Sequence, residues 1–169
     1  QNLKPQSRIG FDGMAMPCGE ASAILKAFGD TPITLDGSKD LIGQLWTDRP
    51  ALPKDSARIH ELAFAGLSTA DKLTALRAEL STIAEAQAKK GQPITGLYQH
   101  LICKLDDIAW LTNLRGTDIP NNPYVFSFMR VDAEAATLYL DEEKRTAELI
   151  AHLAAAGIAL KPYAALLED

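Results

Sequence analysis

Apolar residues recur every three or four positions through residues 68–90, which predicts the clearest helix of the chain. The apolar stripe comprises Leu73, Leu76, Leu80 and Ile83. The opposite, polar face comprises Lys72, Arg77, Glu79 and Glu85. Ser68 and Asp71 are spaced as in a capping box, with the acid three residues after the N-cap. We therefore expect an amphipathic helix whose apolar stripe covers a β-sheet.

Shorter apolar runs on either side of this helix alternate between strand and helix patterns. Strands are predicted at residues 7–12, 32–36, 97–103, 124–131, 136–140 and 158–162. Further helices are predicted at residues 14–28, 106–115 and 142–156, and from residue 163 onward. Residues 132–134 join two strands rich in aromatic and β-branched residues, as in an antiparallel hairpin. The order of elements over residues 68–168 predicts an α/β fold, a mixed β-sheet covered by helices.

Pro50 and Pro53 lie in a segment, residues 46–55, that has neither a helical nor a strand pattern. Proline fixes φ and removes a backbone donor, so this segment is expected to be an extended connector. We place a domain boundary there, with one domain ending at residue 52 and a second beginning at residue 53. The chain begins close to its first strand and stops soon after a helix begins, so we expect a piece of a longer protein.

Residues 106–115 predict a short helix with apolar residues on several sides. Asp106 or Asp107 is placed to cap its N-terminus and to complement the helix dipole. Gly116 is placed to end the helix in the left-handed conformation. Trp110 is expected to pack in the interior, although a tryptophan also suits stacking on a substrate.

The residues after this helix form a polar loop that is stiffened by Pro120 and Pro123. Such a loop, mounted on a buried helix, is suited to presenting side chains to a partner. Arg115 is expected at the helix end, where it binds either free helix carbonyls or the carboxylate of a ligand. Asn121 and Asn122 are either turn residues or polar contacts of the same loop.

Short motifs for metal or phosphate chemistry are incomplete in this chain. His60 and Glu61 begin a zinc-peptidase motif, but Phe64 stands where the second histidine ligand is required. Residues 37–39 lack the glycine spacing of a phosphate-binding loop. His100 and His152 are isolated in the sequence, and each is expected to have a core or surface role. These motifs therefore predict no catalytic residue and no metal ligand.

The composition argues against several kinds of partner. The formal net charge is −5 at pH 7 and the isoelectric point is about 5.2, which disfavours a nucleic-acid or anionic-membrane partner. No apolar run approaches the ~20 residues needed to cross a bilayer. Cys18 and Cys103 are too few for a disulfide framework, and we expect both to be reduced and buried. These features predict a cytoplasmic protein.

Several motifs, in the same order, resemble those of the long, three-domain Xaa-Pro aminopeptidases. In the second domain of that family, Leu-Asp-(Asp/Glu)-Ile-Ala-Trp-Leu is followed by Asn-Leu-Arg-Gly, then by Asn-Pro and an aromatic-rich strand. The matching residues here are Leu105 to Leu111, Asn113 to Gly116, Asn122, Pro123, Tyr124, Phe126 and Phe128. Residues 8–13, 45–53 and 161–167 resemble other parts of the first two domains. Residues 90–99 are longer and more turn-like than in the family, which leaves the strand register there open.

The resemblance implies the creatinase/prolidase N-terminal fold and a non-catalytic role. Residues 1–52 are then the end of the first domain and its linker, and residues 53–169 are most of the second domain, truncated at its C-terminus. In the family, a separate C-terminal domain binds two divalent metal ions, usually manganese, through two aspartates, a histidine and two glutamates. None of those ligand motifs matches a position in this chain, so we expect no catalytic residue and no cofactor here.

By the same resemblance, the parent protein removes the N-terminal residue of peptides that have proline second. This part is expected to be inactive alone, to pack on its own catalytic domain, and to shape the substrate cleft through Arg115, Asn121 and Asn122. We expect Arg115→Ala to lower kcat/KM with little loss of stability. Family members often dimerise, so a homodimer is a further expected partner.

Two alternatives remain open. The fold family includes catalytically dead relatives that bind peptides or histones, and the parent is such a binding module if the five metal ligands are absent downstream. A creatinase-like amidinohydrolase is the other alternative. The Asn-Leu-Arg-Gly and Asn-Pro motifs favour the aminopeptidase over the amidinohydrolase.

Overall fold

The computed structural model describes residues 3–13, 15–91 and 99–169, which fall into two units, residues 1–51 and 52–169. The first unit contains β1 (Arg8–Gly10), α1 (Cys18–Phe28), β2 (Thr34–Asp36) and α2 (Leu41–Leu45). Strands β1 and β2 pair in parallel. Helix α2 was not predicted; Asp40 caps it by accepting a hydrogen bond of 2.7 Å from the backbone N–H of Gly43.

The second unit, residues 52–169, contains six strands, four helices and two 3₁₀ turns within its described residues. In chain order the strands are β3 (Arg58–Ile59), β4 (His100–Ile102), β5 (Leu114–Arg115), β6 (Ser127–Val131), β7 (Ala136–Leu140) and β8 (Ile158–Lys161). The helices are α3 (Leu62–Ala65), α4 (Thr69–Lys89), α5 (Leu105–Thr112) and α6 (Ala147–Ala155). The 3₁₀ turns are Glu142–Lys144 and Tyr163–Leu167.

The main sheet has the strand order β4-β6-β7-β8. Strand β6 is antiparallel to both β4 and β7, whereas β7 and β8 are parallel and are connected through α6. All five residues of β7 are buried, because helices and neighbouring strands cover this central strand. The predicted mixed sheet and the predicted hairpin of β6 and β7 are therefore confirmed. A separate two-stranded antiparallel ladder pairs β3 with β5.

Helices α4, α5 and α6 each contribute apolar side chains to one core. The fully or almost fully buried side chains of these helices include Leu73, Leu80, Ile108, Leu111, Leu149 and Leu153. Each such side chain contributes about 1.5–3 kcal/mol by leaving water. Ile83, which belongs to the predicted apolar stripe of α4, is instead 46% exposed, and Ile150 on α6 is 47% exposed. The buried stripes are thus narrower than the sequence pattern.

Local capping explains where several helices begin and end. Ser68 accepts the backbone N–H of Asp71 and starts α4, as predicted. The helix predicted at residues 142–156 is divided in two, because Asp141 caps a 3₁₀ turn and Thr146 caps α6 separately. The predicted helix from residue 163 is also a 3₁₀ turn.

Helix α5 begins and ends differently from the prediction. Its N-cap is Lys104, without a side-chain hydrogen bond, and Asp106 and Asp107 lie in the first turn instead of capping it. Asn113 adopts the left-handed conformation (φ 55°) and ends the helix three residues before Gly116. The two residues after Asn113 are therefore free to form β5.

Further predictions concern single positions or segments. Cys18 and Cys103 are free, as expected, but both are exposed and not buried. The start of the strand predicted at residues 97–103 and the first residue of the helix predicted at residues 14–28 lie outside the described residues. Most of residues 90–99, where the strand register was left open, also lie outside them. Among the described helices, none has the length and the hydropathy that crossing a membrane requires.

Candidate functional site

The loop between β5 and β6 contains a tight turn at its tip. Asn122 donates its backbone N–H to the carbonyl oxygen of Ile119 over 3.1 Å. Pro120 and Asn121 are the central residues of the turn, and Asn121 has a φ of 63°. This is the pattern of a type II turn, in which proline takes the second position and a residue tolerant of positive φ takes the third. Asn121 therefore has the structural role that the turn alternative predicted, while its side chain remains exposed.

The two sides of this loop hydrogen-bond to each other below the turn. Gly116 donates its N–H to Pro123 O at 3.2 Å, and Asp118 donates its N–H to Tyr124 O at 3.3 Å. A Cβ atom at Gly116 would lie 2.5 Å from the Val125 side chain, which is closer than real contacts allow. Glycine is thus required at position 116 by close packing within the loop and not by the end of a helix.

A buried ion pair holds the loop at its base. Lys144 Nζ lies 2.6 Å from Asp118 Oδ1, and the two side chains are 2% and 1% exposed. The other carboxylate oxygen of Asp118 accepts the backbone N–H of Phe126 at 2.6 Å. Lys144 Nζ also lies 3.5 Å from the carbonyl oxygen of Asp55. The pair therefore connects the loop to the turn after β7 and to the segment before β3. Nothing in the sequence pattern indicated this contact.

Arg115 lies in β5, directly opposite Arg58 of β3, and not in a helix as predicted. Its Nη1 atom nevertheless donates to a helix carbonyl, that of Ala109 at 2.5 Å, and to Leu114 O at 2.8 Å. Burial lowers the pKa of the Arg115 guanidinium, and the positive charge of Arg58 lowers it further. The carbonyl-binding role that the sequence left open is therefore present in the structure.

A surface depression of about 320 Å³ lies beside the loop. Its lining consists of Arg58, Gly116, Thr117, Ile119, Pro120, Asn121, Asn122 and Pro123. The structure thus brings Asn121 and Asn122 together at one surface. Arg115 does not belong to that lining, and its cross-strand neighbour Arg58 supplies the positive charge instead. Amide groups beside a guanidinium suit the carbonyl and carboxylate groups of a peptide.

Lys72 was predicted to lie on the polar face of α4, but the structure buries it. The residue is only 2% exposed. Its ammonium donates to Trp110 O at 2.8 Å and to Asn113 Oδ1 at 2.7 Å, and it lies 4.7 Å from the centre of the Trp110 ring. Burial lowers the pKa of the Lys72 ammonium, and the charge of Arg115 lowers it further. Trp110, expected in the interior, is 53% exposed.

The C-terminal carbonyls of α5 are therefore capped by side chains from outside the helix. Arg115 binds the carbonyl of Ala109 and Lys72 binds that of Trp110. The hydroxyl of Thr69 donates to Thr112 O at 3.0 Å, and His152 Nε2 lies 2.9 Å from the same oxygen. Helix ends leave unsatisfied carbonyls that need such partners. The cost of leaving them unpaired explains why polar side chains are buried here.

The described residues do not fit a metal centre. They contain no cluster of three or more histidine, cysteine, aspartate or glutamate side chains that could hold a metal ion. His60 packs against Phe64, with ring centres 6.0 Å apart, as suits a structural residue. The described residues therefore offer no donor set for the two-metal chemistry, which the resemblance places in a separate C-terminal domain.

The model of the creatinase/prolidase N-terminal domain family matches residues 48–169. This match covers more than half of the chain, so the chain belongs to that family. The α/β fold predicted from the sequence is that of the family.

Related proteins carry aminopeptidase names. Aminopeptidase P2 from Arabidopsis thaliana is 32% identical over 98% of this chain, and the match covers 22% of that relative. A probable Xaa-Pro aminopeptidase P from Aspergillus niger is 37% identical over 95% of this chain and 24% of the relative. The chain thus spans about a quarter of the length of these relatives.

A solved structure shares the fold of this chain. The X-prolyl aminopeptidase from Caenorhabditis elegans, described as a cytosolic enzyme with a di-nuclear active site, superposes with a TM-score of 0.82. The sequence identity is 27%, and the match covers 99% of this chain and 25% of that one. The aligned part of that enzyme therefore has the architecture described above.

Proposed function

We propose that this chain is the non-catalytic N-terminal part of an Xaa-Pro aminopeptidase, a peptidase that removes the N-terminal residue before proline. The observation that supports this proposal is that relatives named aminopeptidase P2 and probable Xaa-Pro aminopeptidase P align with nearly the whole chain, which makes up about a quarter of their length. In this proposal, residues 1–52 end a first domain and residues 53–169 belong to a second. A separate catalytic domain of the same chain holds two divalent metal ions, with manganese as our choice, and the protein acts in the cytoplasm.

The loop between β5 and β6 is proposed to form one wall of the substrate cleft. Rigidity supports this role, because a preorganised wall orders a peptide without first losing its own conformational freedom. The Asp118–Lys144 pair fixes the base of the loop, and the type II turn fixes its tip. Asn121 and Asn122 then face the peptide from the tip, and Arg115 holds β5 in place beneath them.

Arg58 extends this proposed wall beyond the residues chosen from the sequence. It lines the same depression as the two asparagines, whereas Arg115 does not. In this proposal, Arg58 provides positive charge at the surface. Arg115 instead holds β5 in place through its hydrogen bond to the helix carbonyl of Ala109. A guanidinium at a cleft wall would bind the carbonyl groups, or the terminal carboxylate, of a short peptide.

The proposal is tested by assaying the full-length protein with a peptide that begins Xaa-Pro. We expect release of the N-terminal residue, loss of that activity with a chelator, and its return when manganese is added. The 169-residue piece alone is expected to be inactive under the same conditions. Peptide binding without cleavage, at any metal content, would overturn the proposal and support the alternative of a catalytically dead binding module.

A further inference from the structure

Two arginines face each other across the ladder of β3 and β5. Arg58 of β3 is paired directly with Arg115 of β5, and the positive charge of Arg58 contributes to the lowered pKa of the Arg115 guanidinium. Side chains directly opposite in an antiparallel pair are close neighbours, and like charges in these positions destabilise the pair. The fold therefore contains an unfavourable interaction between two cations beside the proposed cleft loop.

The two arginines differ in how the fold accommodates their charge. The Arg115 guanidinium donates to the carbonyl oxygens of Ala109 and Leu114, at 2.5 and 2.8 Å, so backbone dipoles stabilise it. Arg58 is exposed, and its side chain forms no ion pair and no hydrogen bond with any residue that the structure describes. The N–H donors of the Arg58 guanidinium are therefore available to a ligand.

The depression beside the loop has the size and the chemistry of a site for the end of a peptide. Its volume of about 320 Å³ lies at the lower end of the ~300–1,000 Å³ that small-ligand sites have. Arg58 lines it together with Asn121 and Asn122. Side-chain amides both donate and accept hydrogen bonds, as a peptide group requires, and a guanidinium matches a carboxylate. A chain end presents a peptide group and a carboxylate next to each other.

The charges around this depression favour an anion, although the whole chain has a net charge of −5. One exposed carboxylate, that of Asp55, approaches the lining, where it accepts the hydroxyl of Thr117 at 3.0 Å. The carboxylate of Asp118 at the base of the loop is neutralised by Lys144. Two guanidinium groups are thus balanced by a single carboxylate that already has a donor.

We propose that Arg58 binds the C-terminal carboxylate of the substrate, so that the full-length protein prefers short peptides with a free C-terminus. This inference rests on the proposed function, which places the depression at the substrate cleft. In a short peptide that is cleaved at its N-terminus, the C-terminal carboxylate is the anion common to every sequence. An anion bound by Arg58 would also offset the repulsion between Arg58 and Arg115.

The test compares peptides of increasing length that begin Xaa-Pro and end either in a free carboxylate or in an amide. A third set ends in an amide and has glutamate as its last residue, which separates a side-chain carboxylate from the terminal one. Steady-state kinetics of the full-length protein give kcat and KM. Calorimetric titration of the chelator-treated protein gives Kd without cleavage.

Arg58→Gln removes the cation from the depression and keeps a polar side chain. Lys89→Gln is the matched control, because it removes the same charge from an exposed position at the end of α4. At the best peptide length, we expect KM and Kd of the wild type to be about tenfold lower for the free acid than for the amide, with similar kcat. Arg58→Gln should abolish this preference, whereas Lys89→Gln should retain it.

Equal KM and Kd for acid and amide at every length would overturn the inference, as would a preference for the acid that survives Arg58→Gln. Tight binding of the glutamate-containing amides would overturn the assignment to the chain end. A lower denaturation midpoint for Arg58→Gln, with acids and amides weakened alike, would show a structural role instead.

The two proposals fail in different ways. A protein that binds free acids through Arg58 but cleaves no Xaa-Pro peptide refutes the proposed function alone. A protein that cleaves Xaa-Pro acids and amides equally well refutes the carboxylate site alone.

Discussion

Lys72 Nζ lies 4.7 Å from the centre of the Trp110 ring and donates a hydrogen bond of 2.8 Å to the carbonyl oxygen of that same residue. One ammonium group thus fixes both the main chain and the side chain of Trp110. Because Trp110 is the last residue but two of α5, the contact also completes the helix end. This relationship connects helix capping, a buried charge and an exposed aromatic side chain.

Replacing Lys72 with methionine tests the importance of that contact for stability. Methionine keeps the apolar stem but leaves Trp110 O and Asn113 Oδ1 without their donor. We expect a loss of about 1–3 kcal/mol in the free energy of unfolding. Faster amide exchange in α5 and in residues 60–67 would locate the effect. Lys89→Met, at the end of the same helix and exposed, is the control; equal effects of the two changes would contradict the account.

Breaking the buried pair below the cleft loop should cost more. Lys144→Met leaves the Asp118 carboxylate buried without a cation, which costs about 3–5 kcal/mol. The double variant Lys144→Met, Asp118→Leu should recover part of this loss, since no uncompensated charge remains. Chemical denaturation of the wild type, the double variant and both single variants, Lys144→Met and Asp118→Leu, gives the coupling free energy. A cost below about 1 kcal/mol for the single change, as for an exposed ion pair, would show that the pair does not hold the loop.

The hydrogen bonds of Asp132 make the stability of the fold depend on pH in a predictable direction. Its carboxylate accepts the N–H groups of Ala135 and Glu134 in the turn between β6 and β7, and these bonds hold the pKa of Asp132 below 3.8. Between the native and the unfolded pKa of Asp132, the unfolded chain therefore binds more protons than the native chain. The stabilisation is complete above the unfolded pKa and is lost as pH falls through the native pKa.

The measurement is the denaturation midpoint of wild type and Asp132→Asn as the pH is lowered below 3.8, the ordinary pKa of the carboxyl. Asparagine retains an acceptor but does not titrate, so its midpoint should fall less steeply with acid. Asp106→Asn serves as the control, since that carboxylate is exposed and lies 3.6 Å from Lys104. Identical acid slopes for wild type and Asp132→Asn would refute the assignment.

Arg115→Ala should lower both stability and activity of the full-length protein. The guanidinium binds Ala109 O and Leu114 O, so its removal is expected to cost about 1–3 kcal/mol. This differs from the expectation drawn from the sequence, which was little loss of stability, because the structure shows the guanidinium bound to a helix carbonyl, one of the two roles that the sequence left open. If the melting temperature falls while kcat/KM at a permissive temperature stays unchanged, Arg115 has no role at the cleft.

Local signals predicted the elements that depend on neighbouring residues. Ser68 and Asp71 form the cap of α4 that their spacing indicated, and the turn at Asp132 joins the predicted hairpin. Distant contacts were not predictable in the same way. Lys72 finds its partners 38 and 41 residues away, and Lys144 finds Asp118 26 residues away. A polar pattern on a helix therefore assigned Lys72 to solvent.

Competition between adjacent signals caused the error at the end of α5. Asparagine and glycine both tolerate the left-handed conformation, and the sequence offers Asn113 and Gly116 within one turn. Asn113 ends the helix because its side chain and carbonyl bind both Lys72 and the segment before α4. Those contacts exist only in the folded protein, so propensity alone could not choose between the two positions.

The most direct test of the cleft role changes the loop tip and preserves its fold. In the full-length protein, Asn121→Gly retains a residue suited to positive φ. Asn122→Ala removes an exposed side chain whose hydrogen bond to the turn, 3.4 Å to Pro120 O, is long and weak. We expect the double variant to lose about tenfold in kcat/KM toward an Xaa-Pro peptide, or about 1.4 kcal/mol of transition-state stabilisation, with an unchanged denaturation midpoint. Glu79→Ala, exposed on α4, should change neither quantity. An unchanged kcat/KM in the double variant would contradict the placement of this loop at the substrate cleft.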